Sequence, residues 1–250
     1  MSVRMNLNNV LSKIEFTFLS YKKLNAKTTK KFPRLVAVSK TKSVELILEA
    51  YVAGQRHFGE NYVQELYQKS THQIVLENCK DIHWHFIGHL QRKNAKLLTR
   101  VPNLWICESL DSIKLAETLN YQCEKSELPP LRVMVQVNTS REENKFGCRP
   151  DSCQELVDYV MKHCPRLKFT GLMTIGRIGH DFETMGVNPD YMELINCKEI
   201  VCKDLSLSFE DVELSMGMSS DYIHAVELGS DNVRVGTLIF GARDYVKKNS

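Results

Sequence analysis

The chain contains no run of about 18 consecutive apolar residues, the length that a membrane-spanning helix requires. None of its eight cysteines forms a C-x-x-C pair, and the start has no secretory pattern. A disulfide framework is therefore not expected, and reduced thiols in a cytosolic protein are. Most cysteines sit in apolar or helical contexts, as Cys107 does after Leu104-Trp105-Ile106. No linker rich in Pro, Gly and Ser and no low-complexity tract divides the chain. One domain over 1–250 is expected, with an N-terminal helical segment at 1–31 and the body at 32–250. The G-x-x-x-x-G-K-[ST], dinucleotide, H-E-x-x-H and G-x-S-x-G signatures are all missing, which argues against the chemistries they serve. Acid is scarce in one region: residues 1–34 carry eight Lys/Arg against Glu15 alone. The remainder has 25 basic and 29 acidic residues, too acidic a balance for a general nucleic-acid binder. A transit peptide would also be basic, but Leu7, Val10, Leu11, Ile14 and Phe18 recur at helical spacing. A surface helix is the better reading.

What is present is alternation. Short apolar runs at 35–38, 56–59, 82–87, 104–107, 131–137, 167–173, 212–215 and 233–235 read as strands. Helix-like stretches lie between them, near 43–54, 61–78, 91–99, 111–125, 151–163, 190–204 and 219–227. Ser43, Asp111 and Pro150-Asp151 open helices, and Gly54 closes one. Eight βα units predict an α/β protein, a single (β/α)8 TIM-type barrel with an extra N-terminal helix. An open doubly wound sheet is the rival. Residues 176–189 read as one long loop after the sixth strand, and loops of that length in a compact domain are often functional.

In such barrels ligands sit at the C-terminal ends of the strands. Lys40 lies two residues past Val38, at the end of the first strand. Its apolar neighbours Leu35 to Val38 disfavour a charged amine, and a neutral amine is what imine formation needs. The alternative is a solvated surface lysine, the reading preferred for Lys42. Strand seven runs into Met216-Gly217-Met218-Ser219-Ser220-Asp221, and strand eight into Gly236-Thr237. Loops after strands seven and eight are the recurrent phosphate site of barrels, because small residues let backbone amides approach an anion. The Ser219 and Thr237 hydroxyls are further donors; the plainer reading of Gly217 and Gly236 is tight turns. Arg234 alternates with Val233 and Val235, so it faces opposite to them. Pointing inward, it needs a partner, and a cofactor ring nitrogen is one candidate. Asn61 follows strand two and is either a site residue or a helix N-cap. His83 and His85 share a strand face, with His89 after them, but no acid or thiol cluster accompanies them in sequence. Structural histidines, and no metal, are expected.

Several motifs resemble the pyridoxal phosphate homeostasis protein family, small barrels similar to the N-terminal domain of alanine racemase. They are Ala37-Val38-Ser39-Lys40-Thr41-Lys42, Gly54 to Glu65 around Phe58-Gly59-Glu60-Asn61-Tyr62, and Trp84-His85-Phe86-Ile87-Gly88-His89-Leu90-Gln91. Gln136-Val137-Asn138, Gly171-Leu172-Met173, Leu214 to Ser219, Arg234 to Thr237, and Ile239 to Tyr245 continue them. The resemblance implies that Lys40 forms a Schiff base with pyridoxal 5'-phosphate (PLP). It also implies that Ser219, Gly236 and Thr237 hold the phosphate and that Arg234 approaches the pyridine nitrogen. Two features depart from the usual family wording: Val44 stands where proline is common, and Arg177-Ile178-Gly179 is less typical.

The role so implied is buffering and delivery of PLP, without robust catalysis. PLP-requiring apoenzymes are the partners that role implies. A PLP-dependent racemase or lyase of fold type III is the alternative, and a cofactor-free aldolase using Lys40 is a third reading. A racemase needs a base on each face of the cofactor, and the resemblance places the second on a further domain. The chain stops five residues after Tyr245, so no such domain is expected. A monomer in the cytoplasm is expected, with a mitochondrial fraction left open by the basic start.

Overall fold

The computed structural model describes residues 2–25, 30–127, 129–177, 179–180 and 182–242. Eight parallel strands close into a barrel in chain order. They are β1 Arg34–Val38, β2 His57–Glu60, β3 His83–Phe86, β4 Leu104–Leu110, β5 Leu131–Gln136, β6 Leu167–Met173, β7 Glu213–Ser215 and β8 Asn232–Val235. β8 pairs in parallel with β1, with Val36 opposite Arg234, so the sheet has no edge. The open doubly wound alternative is thereby set aside.

The helices are α1 Val3–Leu24, α2 Val44–Val52, α3 Val63–Ser70, α4 Gln73–Asn78, α5 Ala95–Leu98 and α6 Ile113–Lys125, then α7 Pro150–His163, α8 Phe182–Met185, α9 Pro189–Asp204, α10 Tyr222–Glu227 and α11 Thr237–Phe240. Three sequence expectations are corrected. The stretch 61–78 is two helices, because Thr71 Oγ1 turns back onto the Tyr67 carbonyl (2.7 Å) and the His72 ring accepts the Ile74 amide (3.3 Å). Such side-chain bonds compete with the helix ladder. The stretch 219–227 becomes helical only at Tyr222, since the Met218 amide donates to Asp221 Oδ1 at 2.7 Å and holds a turn. The 176–189 loop contains α8 and is pinned at its start, where the Arg177 amide and side chain reach Asp190. Ile178 and Asp181 of that loop, and Arg243-Asp244-Tyr245 of the last motif, lie outside the described residues.

The strand pleat, with period two, sorts each strand into two faces. Leu35, Ala37, Phe58, Trp84, Phe86, Cys107, Val133, Val135, Leu214, Val233 and Val235 pack outward into the main apolar core beneath the helices. Fully burying a large side chain such as Phe58 or Phe86 contributes about 1.5–3 kcal/mol. The opposite face turns into the barrel. There Ile106, Met134 and Met173 form a small separate cluster. α1 lays Leu7, Val10, Ile14 and Phe18 against the same outer core. Asn6 Nδ2 donates to the Ile239 carbonyl (3.1 Å), fastening α1 over the β8 exit. All eight cysteines are buried and free.

Candidate functional site

The period-two alternation of β1 carries Val36 and Val38 to the barrel interior, and two residues further brings Lys40 to the mouth. The turn that carries it is tightly held. The Ser39 amide donates to the Gly59 carbonyl (3.0 Å) and the Lys42 amide to the Ser39 carbonyl (3.0 Å). Thr41 adopts φ +61°, a left-handed conformation uncommon for a β-branched residue, and its amide donates to Glu65 Oε1 at 2.6 Å. Behind the turn, Lys69 Nζ donates to the Ser39 carbonyl (2.7 Å), Glu60 Oε1 (2.7 Å) and Glu65 Oε1 (2.6 Å). Ser39 Oγ also donates to Glu60 Oε1 (2.6 Å). Burial pushes the Glu60 carboxyl up to about 7, although Lys69 and the Ser39 hydroxyl pull the other way. The backbone on both sides of Lys40 is thus clamped by a buried ion pair that strand and helix patterns did not reveal.

A cavity of about 320 Å³ opens at this C-terminal mouth, within the usual range for a small-molecule site. Its wall brings together all six residues singled out from the sequence: Lys40, Asn61, Ser219, Arg234, Gly236 and Thr237. Lys42 joins them, which corrects its reading as a solvated lysine. It is buried, and its Nζ donates to the Ala242 carbonyl at 2.5 Å. Asn61 is not a helix cap: the cap position of α3 is Tyr62. Instead, Asn61 Oδ1 is buried without a hydrogen-bond partner, a costly state that a ligand donor would relieve. Among the described lining residues there is no Asp, Glu, His, Cys or Tyr, while Lys40, Lys42 and Arg234 are cationic. The cavity therefore favours an anion.

Beside Lys40, the exits of β7 and β8 meet. The Gly236 amide donates to Ser219 Oγ at 3.2 Å, which ties the two turns together. A Cβ on Gly236 would stand 3.1 Å from the Val38 carbonyl oxygen, a tight contact that glycine avoids. Gly217 has φ +98°, and a Cβ there would come within 2.5 Å of the Ala225 Cβ. The Gly217 conditions call for glycine. Because α11 has only four residues, the hydroxyls and turn amides, rather than a helix dipole, are the groups fitted to hold a phosphate.

Arg234 does point into the barrel, and it is 4% exposed. Its partners are protein groups: Nη1 donates to Ser215 Oγ (2.6 Å) and Nη2 to the Thr174 carbonyl (2.7 Å). Ser215 Oγ lies 2.5 Å from Glu108 Oε2. Glu108 Oε1 lies 2.5 Å from His85 Nδ1 and 2.9 Å from Asn232 Nδ2. A structural histidine is what the sequence predicts here, and the acidic partner of His85 is one that its local pattern did not show. Strand β4 runs on to Leu110, past the expected end at Cys107, and turns Glu108 inward. The two residues are 23 apart in sequence, so no local pattern announces the pair. His57 Nδ1 extends the chain, 2.9 Å from His85 Nε2. Burial and the neighbouring His85, Arg34 and His83 push the His57 ring down to about 2.

A larger cavity, about 1160 Å³, lies at the N-terminal end of the barrel around His57 and Trp105. Three of its cations are paired with acids: Arg34 with Glu213, Arg56 with Asp81 and Lys30 with Asp231. In this fold the N-terminal face is the stability face, so the smaller C-terminal cavity is the candidate site.

The family model for the N-terminal domain of alanine racemase matches residues 20–244. The human pyridoxal phosphate homeostasis protein is 52% identical over 217 residues, covering 86% of this chain and 78% of the human one. The chain belongs to the pyridoxal phosphate homeostasis protein family. A similar protein, PipY of Synechococcus elongatus, has been solved without PLP and with PLP bound. The PLP-free form is 32% identical with a TM-score of 0.74, over 91% of this chain and 100% of PipY. The PLP-bound form is 30% identical with a TM-score of 0.72, over 90% of this chain and 100% of PipY. Alanine racemase from Corynebacterium glutamicum is 13% identical with a TM-score of 0.64, over 93% of this chain and 62% of the enzyme, a likeness of fold alone. The family's curated relatives are named as homeostasis proteins rather than as enzymes.

Proposed function

We propose that this chain binds PLP at the C-terminal mouth, holds it as a Schiff base on Lys40, and buffers and delivers it without robust catalysis of its own. The observation that carries this reading is one cavity wall joining Lys40, the orphaned Asn61 Oδ1, Arg234 and the Ser219–Gly236–Thr237 turns. The PLP bound by the similar protein PipY supports it. When bound, PLP supplies an aldehyde that condenses with an amine and a ring that withdraws electrons.

The residues fit that group. Lys40 supplies the amine, beside the apolar side chains of Val38 and Ile87. Ser219 and Thr237 offer hydroxyls to the phosphate, and Lys42 adds positive charge. Asn61 Oδ1 accepts a proton donor from the ligand. Arg234, a cation with no acceptor of its own, would disfavour a proton on a pyridine nitrogen brought near it and so weaken electron withdrawal. Among the described lining residues, none but Lys40 and Lys42 has a side chain suited to move a proton at the Cα of a bound amino acid. Both features favour a carrier over a racemase. Delivery to apoenzymes by a cytoplasmic monomer is part of the same proposal.

The test is borohydride reduction of the PLP-loaded protein, then whole-protein mass spectrometry with peptide mapping. One reduced adduct on Lys40 is expected; an adduct on another lysine overturns the assignment. Solvent deuterium entering the Cα of an amino acid at enzyme-like rates would overturn the carrier reading.

A further inference from the structure

Below the mouth, the directions of the hydrogen bonds set the charges in the barrel interior. Arg234 Nη1 only donates, so Ser215 Oγ accepts from it at 2.6 Å. Ser215 also accepts from Asn232 Nδ2 (3.0 Å). Its single proton is left for Glu108 Oε2, 2.5 Å away. Glu108 Oε1 receives Asn232 Nδ2 (2.9 Å) and faces His85 Nδ1 (2.5 Å). Asn232 and Ser215 donate to the carboxylate, and with Glu108 ionised His85 Nδ1 is the third donor. Burial opposes this, but the bond from His85, the charge that ring carries when protonated, and then the charge of Arg234 outweigh it and hold the carboxyl below its ordinary range. Glu108 is fully buried, and Arg234 is the cation joined to it through a single hydroxyl. His85 is held neutral by burial, donating from Nδ1 and accepting from His57 at Nε2. Other charges bearing on the cluster include Arg34 and Glu213, which pair with each other, Asp221, which accepts from the Tyr191 hydroxyl that Arg234 also acts on, and Lys40 and Lys42 at the mouth.

We infer that Glu108 is a positioning residue for the PLP site, the buried counter-charge that anchors Arg234 through Ser215 and limits the positive charge felt at Lys40. This rests on the PLP reading above. An uncompensated guanidinium at the cavity floor repels the proton of a Schiff base on Lys40. With Glu108 beside it the pair is close to neutral, and the linkage keeps its proton to higher pH.

The experiment is a pH titration of the Schiff-base absorbance of the PLP-loaded protein, whose protonated and neutral forms absorb differently. Glu108→Gln keeps the shape and removes the charge, and the midpoint is expected to fall by about one pH unit. In an Arg234→Gln background the same substitution is expected to have little effect, because a buried carboxylate without its cation takes up a proton. Should Glu108→Gln fail to fold, Ser215→Ala cuts the link with both charges in place and is expected to move the midpoint in the same direction by less. A role in stability alone does not move this midpoint. An unmoved midpoint in Glu108→Gln, or in Ser215→Ala where only that variant folds, overturns the inference. So does an equal shift with and without Arg234. If wild-type protein forms no adduct on Lys40, the PLP reading itself fails, a result distinct from these.

Discussion

Lys69 Nζ lies 2.7 Å from Glu60 Oε1, both side chains buried directly behind the turn that carries Lys40. Two oppositely charged groups have left water there, and the Ser39 carbonyl shares the lysine. Removing one partner strands the other. Lys69→Met is therefore expected to cost up to about 3–5 kcal/mol of folding stability well above pH 7, where Glu60 is ionised, and less below it, read as a lower urea midpoint. A loss under about 1 kcal/mol would show that Glu60 needs no cation.

The pH dependence of stability follows from Glu60. Its folded pKa, about 7, lies above the ordinary 4.5, so the folded state holds the proton more tightly than the unfolded one. The associated stability is fully present below about pH 4.5 and is lost as pH rises through 7. Glu60→Gln, which cannot titrate, is expected to flatten the stability profile between those limits, by on the order of 3 kcal/mol. Chemical denaturation at a series of pH values checks this; parallel profiles for the two proteins would count against it.

Lys40→Ala is expected to fold with stability within about 1 kcal/mol of wild type, because the side chain ends in a cavity rather than the core. The same protein is expected to lose the borohydride-trapped adduct. A surviving adduct would name a different anchor.

Thr237→Val keeps the side-chain shape and deletes the hydroxyl. If that hydroxyl binds the phosphate, the affinity for PLP should drop about tenfold, the scale of one hydrogen bond to a charged group. Unphosphorylated pyridoxal should be nearly unaffected. Comparable losses for the two ligands in equilibrium binding would remove Thr237 from the phosphate assignment.

Gly217→Ala places a methyl group within 2.5 Å of the Ala225 Cβ at φ +98°. Strain and overpacking together predict a destabilisation of about 2–4 kcal/mol. PLP affinity should fall with it, since the Ser219 turn is displaced. Thermal unfolding with and without PLP separates the two effects.

The barrel was legible because its signal is local. β1, β5 and β6 announce themselves as apolar runs, and the helices between them by their periodicity and capping residues. Lys40, two residues past β1, and the glycines past β7 and β8 reach one cavity because the fold places every strand's C-terminal end on the same face. Boundaries were less legible. Thr71 and His72 break a helix through side-chain bonds that periodicity does not register. The inward turn of Glu108 depends on β4 continuing past Cys107, where Cys-Glu-Ser-Leu has no alternation to read.

Alternating apolar runs and helices, together with residues two positions beyond a strand end, determined the architecture and six residues of the candidate site, since each depends on neighbours a few positions away. Tertiary structure alone decided that Arg234 rests on Ser215 and Glu108, that Glu108 meets His85, and that Lys69 reaches behind Lys40 to Glu60. These partners are 19, 107, 23 and 9 residues apart. Buried charges are matched across strands and helices only when the barrel closes and removes the water that would otherwise solvate each of them.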